Sequence, residues 1–191
     1  GIANMSGIEC FTGLTYLNIK HNQVTSLNMS NSPNLVTLIA GFNQISSHDI
    51  SQNTALTKLH LEHNLITSID VTPHTQLFEL NLNNDQLTSL DVSQNTLLTT
   101  LWVGSNQLTN LDVTVNTLLD NFHCYDNLLT SLDVTTNVVL DRVHCGWNNF
   151  ACLDLSNAAV LTKLQCNDNS NLTILNVQNG NNIAGIATSL D

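Results

Sequence analysis

A β-rich right-handed solenoid is the fold this sequence predicts: stacked coils with a parallel β-sheet on the concave face and short extended or single-turn segments on the convex side. Three observations predict it. The pattern Leu-x-x-Leu-x-(Leu/Ile/Val/Cys)-x-x-Asn returns every twenty-one residues, at Leu14, Leu35, Leu56, Leu77, Leu98, Leu119, Leu140 and Leu161. A fixed period of this length marks stacked units, none of which buries its apolar face alone. Within each unit apolar and polar residues alternate, as in Leu98-Thr-Thr-Leu101-Trp-Val103, which is the signature of a half-buried strand. The unit is also short and rich in β-branched residues, leaving little room for a helix of about ten residues.

Each element follows from the repeat. Residues 1–13 precede the first full unit, and residues 14–177 carry eight units. In every unit the strand sends two apolar residues inward, Leu101 and Val103 for example, and Thr100, Trp102 and Gly104 outward. An Asn column (Asn22, Asn43, Asn64, Asn106, Asn127, Asn148, Asn169) closes the strands. An amide both donates and accepts, so each Asn is expected to satisfy buried loop backbone and to bond to the next Asn. A return stretch such as Leu108-Thr-Asn-Leu111-Asp-Val113 alternates again on the convex side. After Asn176 the pattern decays, and residues 178–191 are Gly- and Asn-rich with no closing cap, as though the chain continued into something larger.

The consensus resembles the leucine-rich repeat, and its short unit is similar to the bacterial class found in internalin-J-like surface proteins and in secreted proteins of Bacteroidetes. Residues 1–13 look like the partial capping repeat that opens such arrays. Asp85 departs from the pattern by replacing the Asn, His48 by standing where Leu is expected, and the eighth unit by an added residue around Asn169–Asn171. The resemblance implies a non-enzymatic recognition module, secreted or held at a bacterial cell surface, without a cofactor.

Composition narrows the partners. Four basic residues against fifteen acidic ones give a formal charge of −11. That balance excludes nucleic acid, where phosphate contacts supply most of the affinity, and disfavours anionic membrane surfaces. No apolar run approaches the roughly 18 residues of a membrane span. Of five cysteines, Cys124, Cys145 and Cys166 fall in register at an inward strand position. Stacked about 4.8 Å apart with parallel side-chain vectors, they suit a buried thiol ladder better than disulfide geometry. Cys10 and Cys152 are distant from it, so no disulfide is expected.

A second column carries charge: Asp49, Asp70, Asp91, Asp112, Asp133 and Asp154. Stacked carboxylates repel, so something must offset the cost. Either each accepts N–H bonds within its own turn, or neighbours share a hard cation such as Ca²⁺. A glycosidase pair is a third reading, but no Asp is set apart from its copies, and repetition is a poor route to one unique acid. A Thr/Ser column (Thr25, Ser46, Thr67, Thr88, Thr109, Thr130, Thr173) offers hydroxyls that order water or serve the turns.

The outward positions of the strands break the repeat. All four basic residues, both Trp, both Tyr and five of seven His lie there. Nothing in the folding pattern asks for this, and exposed aromatics are what binding centres use. The candidate binding residues are Tyr16, Phe42, Lys58, His60, His63, Trp102, His123, Tyr125, Arg142, His144, Trp147 and Lys163, centred on Trp102, His123, Tyr125, His144 and Trp147. The competing reading is that the rings only shield the sheet. His123 and His144 are stacked neighbours whose bridging by zinc lacks an outward third ligand other than Asp126; titrating near neutral pH, they would make binding pH-sensitive. No Gly-x-Ser-x-Gly, His-Glu-x-x-His or phosphate-binding loop is present, so no catalytic or metal residue is assigned. The expected partner is a protein, surface or outer-membrane-associated. A glycan stacked on Trp102, Tyr125 and Trp147 is the alternative, and the chain is expected to act as a monomer or as one subunit of a larger complex.

Overall fold

The computed structural model describes residues 1–178, 180 and 187–189. A short 3₁₀ turn at Ile8–Cys10 precedes thirteen three-residue strands: β1 (Tyr16–Asn18), β2 (Ser26–Asn28), β3 (Thr37–Ile39), β4 (Ser47–Asp49), β5 (Lys58–His60), β6 (Glu79–Asn81), β7 (Thr100–Trp102), β8 (Asn121–His123), β9 (Arg142–His144), β10 (Cys152–Asp154), β11 (Lys163–Gln165), β12 (Ile174–Asn176) and β13 (Ala187–Ser189). Nine of them form one parallel sheet in the order β1-β3-β5-β6-β7-β8-β9-β11-β13. The register repeats the sequence period, pairing Leu80 with Leu101, Leu101 with Phe122 and Phe122 with Val143. The protein is a parallel-strand β-solenoid of about eight turns with almost no helix. Most of the segment 178–191 lies outside the described residues.

The alternation read from the sequence holds. Leu38, Leu59, Leu80, Leu101, Phe122 and Leu164 are fully buried, as are Ala40, Leu61, Leu82, Val103, Cys124 and Cys145 one step on. The return stretch adds Val24, Ile45, Ile66, Leu87, Leu108, Leu129 and Phe150. The core is therefore a continuous filament of apolar columns, each in van der Waals contact with the coil before and after. Cys124, Cys145 and Cys166 belong to it, and burial pushes their thiols up, away from the reactive thiolate.

The convex side is plainer than expected. Paired strands form there only near the ends, β2 with β4 and β10 with β12. In the middle units the same stretch runs without a ladder.

The Asn column is scaffold, but its bonds differ from the expected Asn-to-Asn chain. Asn127 Oδ1 accepts the Leu108 N–H at 2.9 Å, while Nδ2 donates to the Val103 and Cys124 carbonyls. Each amide thus ties one coil to the backbone of the coil before. A second buried column, invisible in the strand consensus, does the same from the opposite turn. Asn53, Asn95, Asn116 and Asn137 donate to carbonyls of the preceding unit, as Asn116 does to Val92 and Asn95. Ser32, His74 and Ala158 occupy its remaining positions, all buried. Among the described residues His74 has no hydrogen-bond partner at either ring nitrogen, and burial lowers its pKa, favouring the neutral ring.

Each convex Asp closes its own turn. Asp112 Oδ1 accepts the Thr114 N–H at 2.9 Å and the Thr114 hydroxyl at 2.6 Å, and Asp49, Asp70 and Asp133 do likewise with Ser51, Thr72 and Thr135. These bonds favour the ionised form and hold the carboxyls below their ordinary range. Of the two main readings of that column, the backbone role has its geometry on display.

Candidate functional site

The middle residue of each sheet strand points into the core, so its two neighbours must project from the other side. That places the outward residues of β1, β3, β5–β9 and β11, and the loop residues after them, on one continuous face. Tyr16, Phe42, His63, Arg142, Trp147 and Lys163 are exposed; Lys58, His60, Trp102, His123, Tyr125 and His144 are half-buried.

The rings are not scattered. A chain of contacts runs from His60 to Trp102 (centroids 6.2 Å apart), then to His123 at 5.6 Å and to His144 at 5.7 Å, and on to Trp147 at 5.8 Å. Tyr125 stacks on His144 at 4.4 Å with 20° between the planes. A second cluster stacks His21, Phe42 and His63, with the Lys20 ammonium 4.9 Å over the Phe42 ring. Ring-on-ring packing of this kind holds rotamers in place, so the face is pre-shaped.

Two local features make room for it. The loop residue three positions past each of these strands adopts a left-handed backbone: His21, Phe42, His63, Asn84, Ser105, Asp126, Trp147 and Asp168, with φ between 51° and 59°. Asn and Asp accept that region readily, whereas bulky Phe42 and Trp147 do so at a cost. The position before it alternates small and large. A Cβ on Gly104 would collide with the Tyr125 ring, one on Gly41 with the Glu62 carboxylate, and one on Gly146 with Asn167. Each glycine is thus the bed on which the next coil's side chain lies. The sequence shows these Gly plainly, yet only the stacking reveals what they accommodate.

Charge divides the face in two. In the first half both lysines have a carboxylate, Lys20 meeting Glu62 at 2.8 Å and Lys58 meeting Glu79 at 2.9 Å, and the His60 ring hydrogen-bonds the other Glu79 oxygen at 2.7 Å. In the second half, Arg142 and Lys163 stand side by side in register. Arg142 Nε touches only Asp141, at 3.4 Å, and Lys163 has no ionic partner among the described residues. A recess of about 250 Å³ lies here, lined by Asn121, His123, Arg142, Val143, His144, Lys163 and Gln165.

This setting changes the expected histidine chemistry. Burial, then the neighbouring His144 and Arg142, bring His123 down to about 4, and burial lowers His144 as well. With His123 neutral throughout pH 5 to 8 and His144 below its usual midpoint, the neutral-pH sensitivity expected of the pair shifts toward acid. Among the described residues no group of three His, Cys, Asp or Glu is arranged to hold a metal ion.

Comparison with known proteins agrees with this architecture. No protein-family profile matches the sequence, and no curated protein matches it. Among solved structures, the functional domain of InlJ from Listeria monocytogenes, which includes a cysteine ladder, is 30% identical over 92% of this chain and 51% of that one, with a TM-score of 0.56. The chain therefore spans about half the length of that relative. Internalin C2 from Listeria monocytogenes superimposes at a TM-score of 0.80 with 20% identity, over 96% of this chain and 84% of that one. YopM, a leucine-rich effector protein from Yersinia pestis, does so at 0.69 with 19% identity, over 85% and 48%. At that identity the last two speak for the fold alone. With the repeat, the parallel solenoid and these neighbours in agreement, the chain has the leucine-rich-repeat fold and is similar to the bacterial internalins.

Proposed function

We propose that this protein is a non-enzymatic recognition module that binds a protein partner through its sheet face, exported and held at a bacterial surface. Leucine-rich repeat proteins in general bind protein partners. The observation that carries the reading is the contiguous ring chain from His60 to Trp147, with Trp147 held 47% exposed on a left-handed backbone. A residue merely shielding the sheet has no reason to remain half in water. Exposed aromatic anchors beside Arg and His form the usual centre of a protein interface.

The same geometry weakens the glycan alternative. Sugar stacking needs a free ring face, but Trp102 is covered by His123, and Tyr125 lies on His144. Trp147 alone among those three extends well into solvent.

The test compares partner recovery by the intact chain, by Trp147→Ala and by the convex control Thr109→Ala. Loss with Trp147→Ala and retention with Thr109→Ala is the expected result, and equal recovery by all three removes the sheet face as the site. A glycan array run in parallel, if it returned strong binders where protein pull-downs returned none, would replace the protein reading with the carbohydrate one.

A further inference from the structure

We infer that the recess spanning β8, β9 and β11 is a socket for an acidic side chain of the protein partner, with Arg142 and Lys163 as the groups that hold its carboxylate. The inference rests on the sheet face being the binding surface and goes further, assigning the partner's chemistry at one point.

Charge placement is the first argument. Four cations occur in the chain, and two of them are neutralised within the face by Glu62 and Glu79. The other two are neighbours on paired strands, where adjacent strands lie about 4.8 Å apart. Like charges directly opposite each other are destabilising, and among the described residues no carboxylate lines the recess between them. Asp141, beside it, meets Arg142 only through Nε and accepts the Thr162 hydroxyl. Among the described residues the terminal guanidinium nitrogens therefore stay free for the paired contact with a carboxylate that Arg geometry favours. His123 and His144 bring no negative charge. On a chain of net charge −11 this is where an incoming anion meets attraction instead of repulsion.

Size and surroundings argue for a side chain over a whole ligand. About 250 Å³ is small beside the roughly 300–1,000 Å³ of small-molecule sites. Asn121 and Gln165 also line the recess and offer amide N–H donors beside the two cations. The shortage of free ring faces makes a peptide a better source of that carboxylate than a uronic acid.

The experiment pans an unphosphorylated random peptide display library on the intact chain, with a glycan array carrying uronic acids in parallel. Selected peptides should be enriched in Asp or Glu. Their affinity should fall at least about tenfold in Arg142→Gln and again in Lys163→Gln, and should weaken with added salt. Both residues are exposed, and unchanged circular dichroism and melting temperature verify folding. Peptides that bind, lose affinity in Trp147→Ala, yet carry no acidic enrichment and ignore Arg142→Gln overturn the socket and leave the sheet face standing. Peptides indifferent to Trp147→Ala as well overturn the sheet-face reading itself. Uronic-acid glycans binding in an Arg142-dependent manner, with no acidic peptides selected, overturn the peptide source.

Discussion

Asp85 is the residue at which the scaffold is least at ease. It occupies an Asn position, and its Oδ1 accepts the Ile66 N–H at 3.1 Å as the Asn residues do from their own neighbours. Its Oδ2, buried and without a partner, takes the place from which the other Asn side chains donate to backbone carbonyls. An oxygen set there among carbonyls needs a proton. Burial accordingly raises the carboxyl from 3.8 to about 7, helped by the negative charge of Glu62. The sign follows from linkage. Between those values the unfolded chain releases a proton that the native state keeps, so native stability falls as pH rises through the window. Asp85→Asn should therefore stabilise the protein, with a gain growing from pH 4 to 7 toward about 4 kcal/mol, at 1.36 kcal/mol per pH unit. Chemical denaturation of both chains at several pH values measures it; a gain independent of pH contradicts the assignment. His123 works the other way, being neutral when native. Lowered to about 4 from 6.5, it holds full stability above 6.5 and loses it as pH falls toward 4. A proton NMR titration should place its midpoint well below that of an ordinary imidazole.

The two Asn columns are the elements that make separate coils into one body. Asn127→Ala would leave the Leu108 N–H without a partner and take one donor from the Val103 and Cys124 carbonyls, which keep Asn106 and Asn148. An orphaned buried N–H costs about 1–3 kcal/mol, and the two weakened carbonyls add to it, so a loss of roughly 2–3 kcal/mol in unfolding free energy is expected. Asn116→Ala, in the second column, gives up bonds to the Val92 and Asn95 carbonyls and should cost somewhat less. How legible the two were differs for a physical reason. The first column sits at a fixed offset from the strand leucines, so periodicity exposes it. The second is interrupted by Ser32, His74 and Ala158 and lies among Thr and Asn residues that read as ordinary turn composition. The alternating burial of the strands was legible because β-structure has a period of two. The pairing of convex strands near the ends alone was not, since the end units keep, but for His48, the same apolar spacing as the middle ones (Val24, Leu27 and Met29 against Leu108, Leu111 and Val113).

For the molecule as a whole, the periodic Asp turns set the acid limit. The six convex carboxyls lie below 3.8 because each accepts the Ser or Thr hydroxyl and then the N–H of its own native turn, the order reversed only at Asp91. Their contribution is present above 3.8 and fades as pH falls through the lowered native values. Unfolding below pH 4 should become steeper in the intact chain than in a variant with Asp112 and Asp133 changed to Asn; parallel curves would contradict that role. The composition of the sheet face was legible too, because twenty-one-residue spacing assigns every odd side chain a side. Which cations are paired, and which rings cover one another, depends on rotamers and on contacts between coils, and no sequence offset encodes them. Hydrogen–deuterium exchange, with and without a selected binder, addresses the central claim that the coils present their irregular side chains on the sheet for recognition. Added protection should fall on Thr100–Trp102, Asn121–His123 and Arg142–His144 and the loops that follow them; protection confined to the convex turns around Asp91, Asp112 and Asp133 would contradict it.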